Sequence, residues 1–419
     1  MEKRITTSSG IPIYTYPNMD QGSFFISMYV RAGSMHEVES GITHFFEHIA
    51  IRNINYRMGG ELYRLLDKHG LEFNASTSND LVQFYVAGAA EHFALGAEII
   101  THMLSSVSLP SSEVDRERDR IRAEIREVDE RSTLAGFTAS KVWGGTTLER
   151  PITGTLGSVS HIGVRALERF RQETMVSENV FFYLTGRVSD ADAERLASLI
   201  EEYEVPHGSF NDNLAPVPEK FGRRGAEIFI KGADFTKLRF NFDVDMNECT
   251  LPELDLLYEQ LLGGYSSEFF LELSEKRGYV YDLSGSVERY KNVGSFYFSY
   301  ELKDTRATDA VRLTVDILKR FKEQLIPEDR FMRASYVDNA MMLYDDSREL
   351  NFTFAYDNHI MGCKYESLEA RRAAYEAVTP ERILALANRI FTPENLTLTM
   401  KGKRARVDLE KIGEIIKEL

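Results

Sequence analysis

The 419-residue chain predicts an α+β fold of two homologous, α/β-sandwich-like domains, each a sheet with helices packed on one face, related by internal duplication. Three observations carry this expectation. The length exceeds one ordinary domain and fits two of about 200 residues, each able to bury its own core, and the apolar fraction of 43% is globular. Landmarks repeat: residues 177–187 (SENVFFYLTGR) are echoed 216 positions on by residues 393–403 (PENLTLTMKGK). Likewise Gly59-Gly60 returns as Gly263-Gly264, Phe84-Tyr85 as Phe296-Tyr297 and Leu109-Pro110 as Ile326-Pro327, at offsets that drift between 204 and 217 as loop-length changes make them. Between the copies, residues 206–222 have the Pro, Gly and Asn content of a linker. The boundaries expected are therefore residues 1–205, a linker over 206–222, and residues 223–419.

Residues 11–16 and 23–30 are β-rich and separated by Pro17, Asn18 and Gly22, which reads as paired strands. A turn over 31–34 leads to a helix whose N-cap candidate is Ser40. A short helix over 61–69 ends at Gly70. Residues 71–78 and 81–86 read as strands. Phe93, Ala97, Ile100 and Met103 give 91–107 a helical period. Leu109-Pro110 opens a long charged helix from Ser112 to about Arg131. Trp143 and the aromatic stretch 290–300 read as core, and amphipathic helices over 164–172 and 381–390 precede the two echoed strands.

The chemistry concentrates in residues 40–52, SGITHFFEHIAIR. His44 and His48 stand one helical turn apart on one side with Glu47 beside them, so two imidazoles can grip one ion while a carboxylate leans over it. Zinc suits imidazole, and a catalytic zinc takes three protein ligands with a fourth position left open. The third ligand must come from elsewhere, and taken alone the motif also fits an amphipathic helix with two surface histidines. In the long helix, Glu117, Glu124 and Glu127 are first of all candidates for a solvated face. A helix packed on the motif helix can nonetheless offer one inward carboxylate. Glu124 lies 76 positions after His48, and Glu117, two turns earlier on the same face, suits an outer-shell role. The second copy reads LDLLYEQLL over 254–262 where the metal helix should recur, so only the first copy is expected to bind metal. The other seven histidines have no metal spacing and read as surface or capping residues.

A formal charge of −15 argues against nucleic-acid or anionic-membrane partners; it suits a wall attractive to basic peptides, or simply a solvated surface. Cys249 and Cys363 form no CxxC and read as buried thiols of a reducing compartment. With no run of eighteen apolar residues and no apolar segment at the start, MEKRITT, the expectation is a cytoplasmic protein without membrane insertion.

Residues 31–37 (RAGSMHE), 41–48 (GITHFFEH), 74–78 (NASTS) with Tyr85, 122–125 (RAEI), 262–267 (LGGYSS) and 275–278 (EKRG) together resemble the pitrilysin, insulysin and mitochondrial processing peptidase family of inverted-motif zinc peptidases. The resemblance implies that His44, His48 and Glu124 hold one zinc ion per chain, that Glu47 is the general base with Glu117 in support, and that Asn74, Ala75 and Ser76 lie beside the substrate. The implied activity is endopeptidase cleavage of short or unfolded peptides, whether leader-peptide removal or general turnover. An extended peptide would pair with an exposed edge strand, for which 71–78 is the candidate, although an ordinary sheet strand fits the same residues. One departure stands out. The family's second-domain signature carries an Arg and, seven residues later, a Tyr that bind the substrate carbonyl and the oxyanion; here the pair is Ser274 and Tyr281. A serine supplies no charge-assisted, forked contact. The expected partner is therefore a metal-free sister chain carrying that Arg, in a heterodimer, with a homodimer as the alternative if Tyr281 and zinc suffice. A non-catalytic, core-type scaffold subunit is the competing reading, against which the intact HxxEH and Glu124 speak.

Overall fold

Strand β3 (Ser23–Val30), SFFISMYV, has a large side chain on both faces at nearly every step and is buried from Phe24 onward. A strand with apolar groups on both sides needs cover on both. It lies inside a six-stranded sheet with β1 (Lys3–Thr6), β2 (Pro12–Pro17), β4 (Glu72–Thr77), β5 (Val82–Ala89) and β6 (Val180–Gly186), in the order β1-β2-β6-β3-β5-β4. On one face Phe24, Ile26, Met28, Phe84, Val86, Phe182 and Leu184 pack in one core with helix α1 (Ile42–Arg57), which contributes Phe45 and Ile49, α2 (Leu62–His69), which contributes Leu62 and Leu66, and α3 (Phe93–Thr101). On the other, Tyr16, Tyr29, Phe181 and Tyr183 pack with Leu350, Phe354 and Ile360. The expectation of helices on one face is thus incomplete for this sheet. The helix Ser347–Phe354 is pinned there by polar bonds as well: Asn351 donates to the Tyr183 carbonyl at 2.8 Å and accepts from the Tyr29 hydroxyl at 2.9 Å.

The computed structural model describes residues 1–128, 133–218, 227–231, 235–280 and 283–419, and its second sheet repeats the first. Strands β7 (Glu227–Lys231), β8 (Phe235–Asp245), β9 (Leu283–Arg289), β10 (Val293–Lys303) and β11 (Leu396–Gly402) run in the order β7-β11-β8-β10-β9, which maps onto β2-β6-β3-β5-β4. The one parallel pair of each sheet, β2 with β6 and β7 with β11, falls at the same place. Its core joins Leu238, Phe240, Phe242, Phe296 and Phe298 to Leu254, Leu257 and Leu261 of the helix Leu251–Leu262.

The boundaries differ from those expected. One unit comprises Met1–Asp129, Arg150–Asn213 and Ala340–Arg371; the other comprises Glu130–Glu149, Leu214–Asn339 and Arg372–Leu419. Each sheet takes a helical segment from the opposite half of the chain. Helix α5 (Leu134–Val142), from the first half, meets β11 through Thr138, whose hydroxyl lies 2.5 Å from that of Thr399, and the adjacent Trp143 is buried in that unit. The linker expected at 206–222 divides between Asn213 and Leu214, and residues 219–222 lie outside the described residues.

Three local expectations are corrected. Ser40 does not cap α1; Gly41 stands at the N-cap with φ +88°, and the Glu37 carboxylate accepts from the Gly41 and Thr43 amides at 2.7 and 3.2 Å. The helix over 91–107 is three pieces, with 3₁₀ turns Ala90–His92 and His102–Leu104 flanking α3. At its end the Thr101 hydroxyl donates back to the carbonyls of Ala97 and Glu98, a bond that competes with the regular ladder. The charged helix, α4, runs Ser111–Glu127; its expected end near Arg131 lies outside the described residues. The two cysteines are half-buried rather than fully buried.

Candidate metal centre

The site is set by how two helices are rotated. In α1, Ile42, Phe45, Phe46, Ile49 and Ile54 enter the core, which leaves His44, Glu47 and His48 on the side shared with α4 and β4. Its start is fixed by Gly41, where a Cβ would stand 2.8 Å from the Thr153 carbonyl and the Gly154 Cα, so only glycine fits both the positive φ and the space. In α4, Val114 and Ile121 are buried and Glu117 is 3% exposed. Positions 114, 117, 121 and 124 follow the helical three-four spacing, so anchoring Ile121 in the core aims Glu117 and Glu124 along the same stripe toward α1.

Three ligand atoms, one each from His44, His48 and Glu124, lie within 4.8 Å of one another, a grouping that occurs at this one place among the described residues. Glu124 Oε1 is 3.6 Å from His44 Nε2, and Oε2 is 3.7 Å from His48 Nε2. Ligands at 2.0–2.2 Å around a tetrahedral zinc lie about 3.3–3.6 Å apart, so the donor set fits that ion in number and type and the two Glu124 separations come close to that spacing. Behind it, His48 Nδ1 meets Glu117 Oε1 at 2.9 Å, which leaves Nε2 as the free lone pair. Arg52 donates to Glu117 Oε2 at 3.0 Å and to Glu113 Oε2 at 2.8 Å. His44 has no such support: its Nδ1 is buried without a hydrogen-bond partner.

Electrostatics prepare the groups for these roles. Burial, with the neighbouring His48, lowers the pKa of His44 to about 4, so its ring is neutral at physiological pH. For Glu117 burial pushes upward, but the His48 hydrogen bond and charge, with Arg52 and Arg120, outweigh it and hold the carboxyl below its ordinary value. Glu47 moves the other way. Burial and then the negative charge of Glu124 raise its pKa, against the opposing Thr77 hydrogen bond and His48. A carboxylate so raised is better matched to taking a proton near neutrality.

Of the three residues expected beside a substrate, Asn74 and Ser76 are exposed on β4, whereas Ala75 is half-buried and packs on the core. Among the described residues, strand β4 pairs only with β5 and is one of the two edges of its sheet, as residues 71–78 were expected to be. Thr77, one position beyond that set, was missed by the sequence reading; its hydroxyl donates to Glu47 Oε2 at 2.5 Å. Arg52 and Glu37 were missed too. Ser274 is half-buried in a helical turn, Phe270–Glu275, of the second unit, and Tyr281 lies outside the described residues. Where the second copy replaces the metal motif, the buried Asp255 is committed to Arg289 at 2.8 Å and the Tyr375 hydroxyl at 2.6 Å. Among the histidines set aside, His359 is not a surface residue: its ring stacks on Tyr14 at 3.6 Å and its Nε2 meets Glu2 at 3.1 Å.

Comparison with known proteins finds two matches in order along the chain. Residues 18–156 match the family described as insulinase, peptidase family M16, and residues 161–335 match the peptidase M16 inactive domain. Relatives include the uncharacterized zinc protease YmxG of Bacillus subtilis, 21% identical over 404 residues covering 94% of this chain and 97% of that one. An uncharacterized zinc protease of Rickettsia bellii is 24% identical over 400 residues, with 92% of this chain and 93% of that one covered. Among solved structures, a peptidase M16 inactive domain from Pseudomonas fluorescens superimposes with a TM-score of 0.84 at 14% identity over 97% of this chain and 99% of that one. A chain of complex III from Candida albicans does so with a TM-score of 0.81 at 14% identity, over 99% of each. With both halves matched in order and the metal-ligand cluster in the first, the chain belongs to peptidase family M16.

Proposed function

We propose that this chain is a zinc-dependent endopeptidase of short or unfolded peptides, with one zinc ion held by His44, His48 and Glu124. The observation that carries this is the convergence of those three ligand atoms within 4.8 Å next to a half-buried carboxylate, Glu47, of raised pKa. When bound, zinc supplies Lewis acidity, which acidifies water and polarises a carbonyl. Glu47 takes the proton from the attacking water and returns it to the leaving amine, while Thr77 fixes which carboxylate oxygen is free to do so. Strand β4 offers its open edge to an extended peptide, which main-chain pairing would hold whatever its sequence. Leader-peptide removal and general peptide turnover both suit such a site.

Ser274 motivates the second part of the reading, a heterodimer with a metal-free sister chain that supplies an Arg for the substrate carbonyl; Tyr281 would contribute to the oxyanion. A preparation free of any sister chain that cleaves at full rate as a homodimer overturns the heterodimer. For the activity itself, zinc content and peptide cleavage are measured on the native protein and on Glu47→Gln. The expected result is one zinc in both and cleavage reduced about 10²–10⁴-fold in the variant. Zinc-free native protein that cleaves nothing, with or without a partner chain, points instead to the scaffold subunit.

A further inference from the structure

Only one of the two imidazoles is anchored from behind, and the anchor is itself held in place. His48 Nδ1 rests on Glu117 Oε1 at 2.9 Å, whereas His44 Nδ1 has no partner. The other oxygen of Glu117 takes its short contact from Arg52, whose guanidinium also reaches Glu113. The spacing makes this a ladder: Arg52 follows His48 by one turn of α1, and Glu113 precedes Glu117 by one turn of α4. Arg52 bridges the two acidic rungs with two different nitrogens, Nε to Glu113 and an Nη to Glu117. This planar fork sets the orientation of a carboxylate in a way a point charge does not. The remaining cation, Arg120, sits at 3.6 Å from Oε1 with a side chain 73% exposed, too far and too free to replace it.

From this we infer that Arg52 is a positioning residue for the metal centre, acting through Glu117 to fix the ring of His48 so that Nε2 faces the ion. The inference rests on the zinc reading above. Outer partners of metal-bound histidines typically matter 10–100-fold in metal affinity, and Arg52 stands one contact further out. The expected loss for Arg52→Met is therefore about tenfold in zinc affinity, and less for Arg52→Lys, which keeps the charge without the fork.

The test is chelator-competition measurement of zinc affinity on the whole protein in four forms: wild type, Arg52→Met, Glu117→Gln and the double variant. If Arg52 acts through Glu117, the tenfold loss seen in the wild-type background disappears in the Glu117→Gln background. A loss of equal size in both backgrounds means that Arg52 only braces the two helices and overturns the inference. Unchanged affinity in Arg52→Met, with wild type binding zinc, overturns it as well but leaves the proposed activity standing. Wild-type protein that takes up no zinc overturns both. Arg52→Lys guards against misfolding of the Met variant, since it retains the charge and stem, and an affinity between wild type and Arg52→Met supports the fork.

Discussion

Glu37 is a carboxylate where a Ser or Thr is usual. It reaches forward from a 3₁₀ turn to accept two amides at the start of α1 while being only 3% exposed. Burial, its largest influence, lifts its pKa to about 7 despite those amides, from an ordinary 4.5. A carboxyl whose folded pKa is raised binds its proton more tightly in the folded state. Its stabilising contribution is complete below about pH 4.5 and is lost as pH rises through 7. Glu37→Gln removes this titration. The stability of wild type relative to the variant, from denaturant melts, is expected to fall by on the order of 2 kcal/mol between pH 5 and pH 8; a difference flat across that range refutes the assignment. Nothing in the sequence announced this cap, because the donors lie four and six residues ahead, beyond the usual capping box. Thr77 escaped for a related reason: a threonine in a strand gains meaning only when pairing turns it toward α1. His44, Glu47 and His48, by contrast, were legible because a helix fixes which residues share a side.

At the scale of elements, β4 is the edge of the sheet beside the metal-ligand cluster. Its Glu72 is tied down on the outer face by the Tyr85 hydroxyl at 2.6 Å and Arg348 at 2.6 Å. The Ala75 amide gives its proton to the neighbouring Asn74 side chain at 2.9 Å and so is not needed by the ladder with β5. Proline is tolerated at such an edge position because no ladder bond is lost. Ala75→Pro is therefore expected to shift the melting temperature by no more than about 4 °C. If extended peptides add to this edge, the same change raises KM about tenfold or more, by removing a donor and obstructing the approach. An unchanged KM places the peptide elsewhere. The existence and type of most elements could be read from periodicity, but the break in 91–107 could not. At that break the Thr101 hydroxyl bonds back to the Ala97 and Glu98 carbonyls, a contact that apolar spacing does not register.

For the whole molecule, the repeat could be read from Gly-Gly, Phe-Tyr and Pro landmarks, and the order of the second sheet agrees with that of the first apart from β1, which has no counterpart among the described strands. What the repeat hid is the exchange of cover between halves. Leu350, Phe354 and Ile360 are ordinary helical apolar residues, and nothing local in them says which sheet they face. Tyr29, Phe181 and Tyr183, each wholly buried in the folded chain, lie against that cover. A fragment ending at residue 213 bares them. It is expected to be insoluble or to lack near-ultraviolet circular dichroism when expressed alone, and to recover both when residues 214–419 are co-expressed. A well-folded isolated fragment contradicts the packing described for that face.

The exchange also orders events during synthesis. His44, His48 and Glu124 leave the ribosome before that cover does, because the segment ending at Arg371 that completes their unit follows residue 213 by about 160 residues, on the order of 10–30 s of elongation. For that interval the nascent chain carries an aromatic surface with nothing to shield it, a natural client for a holding chaperone, and the unit that bears the three metal-ligand candidates is completed only once residue 371 has been made.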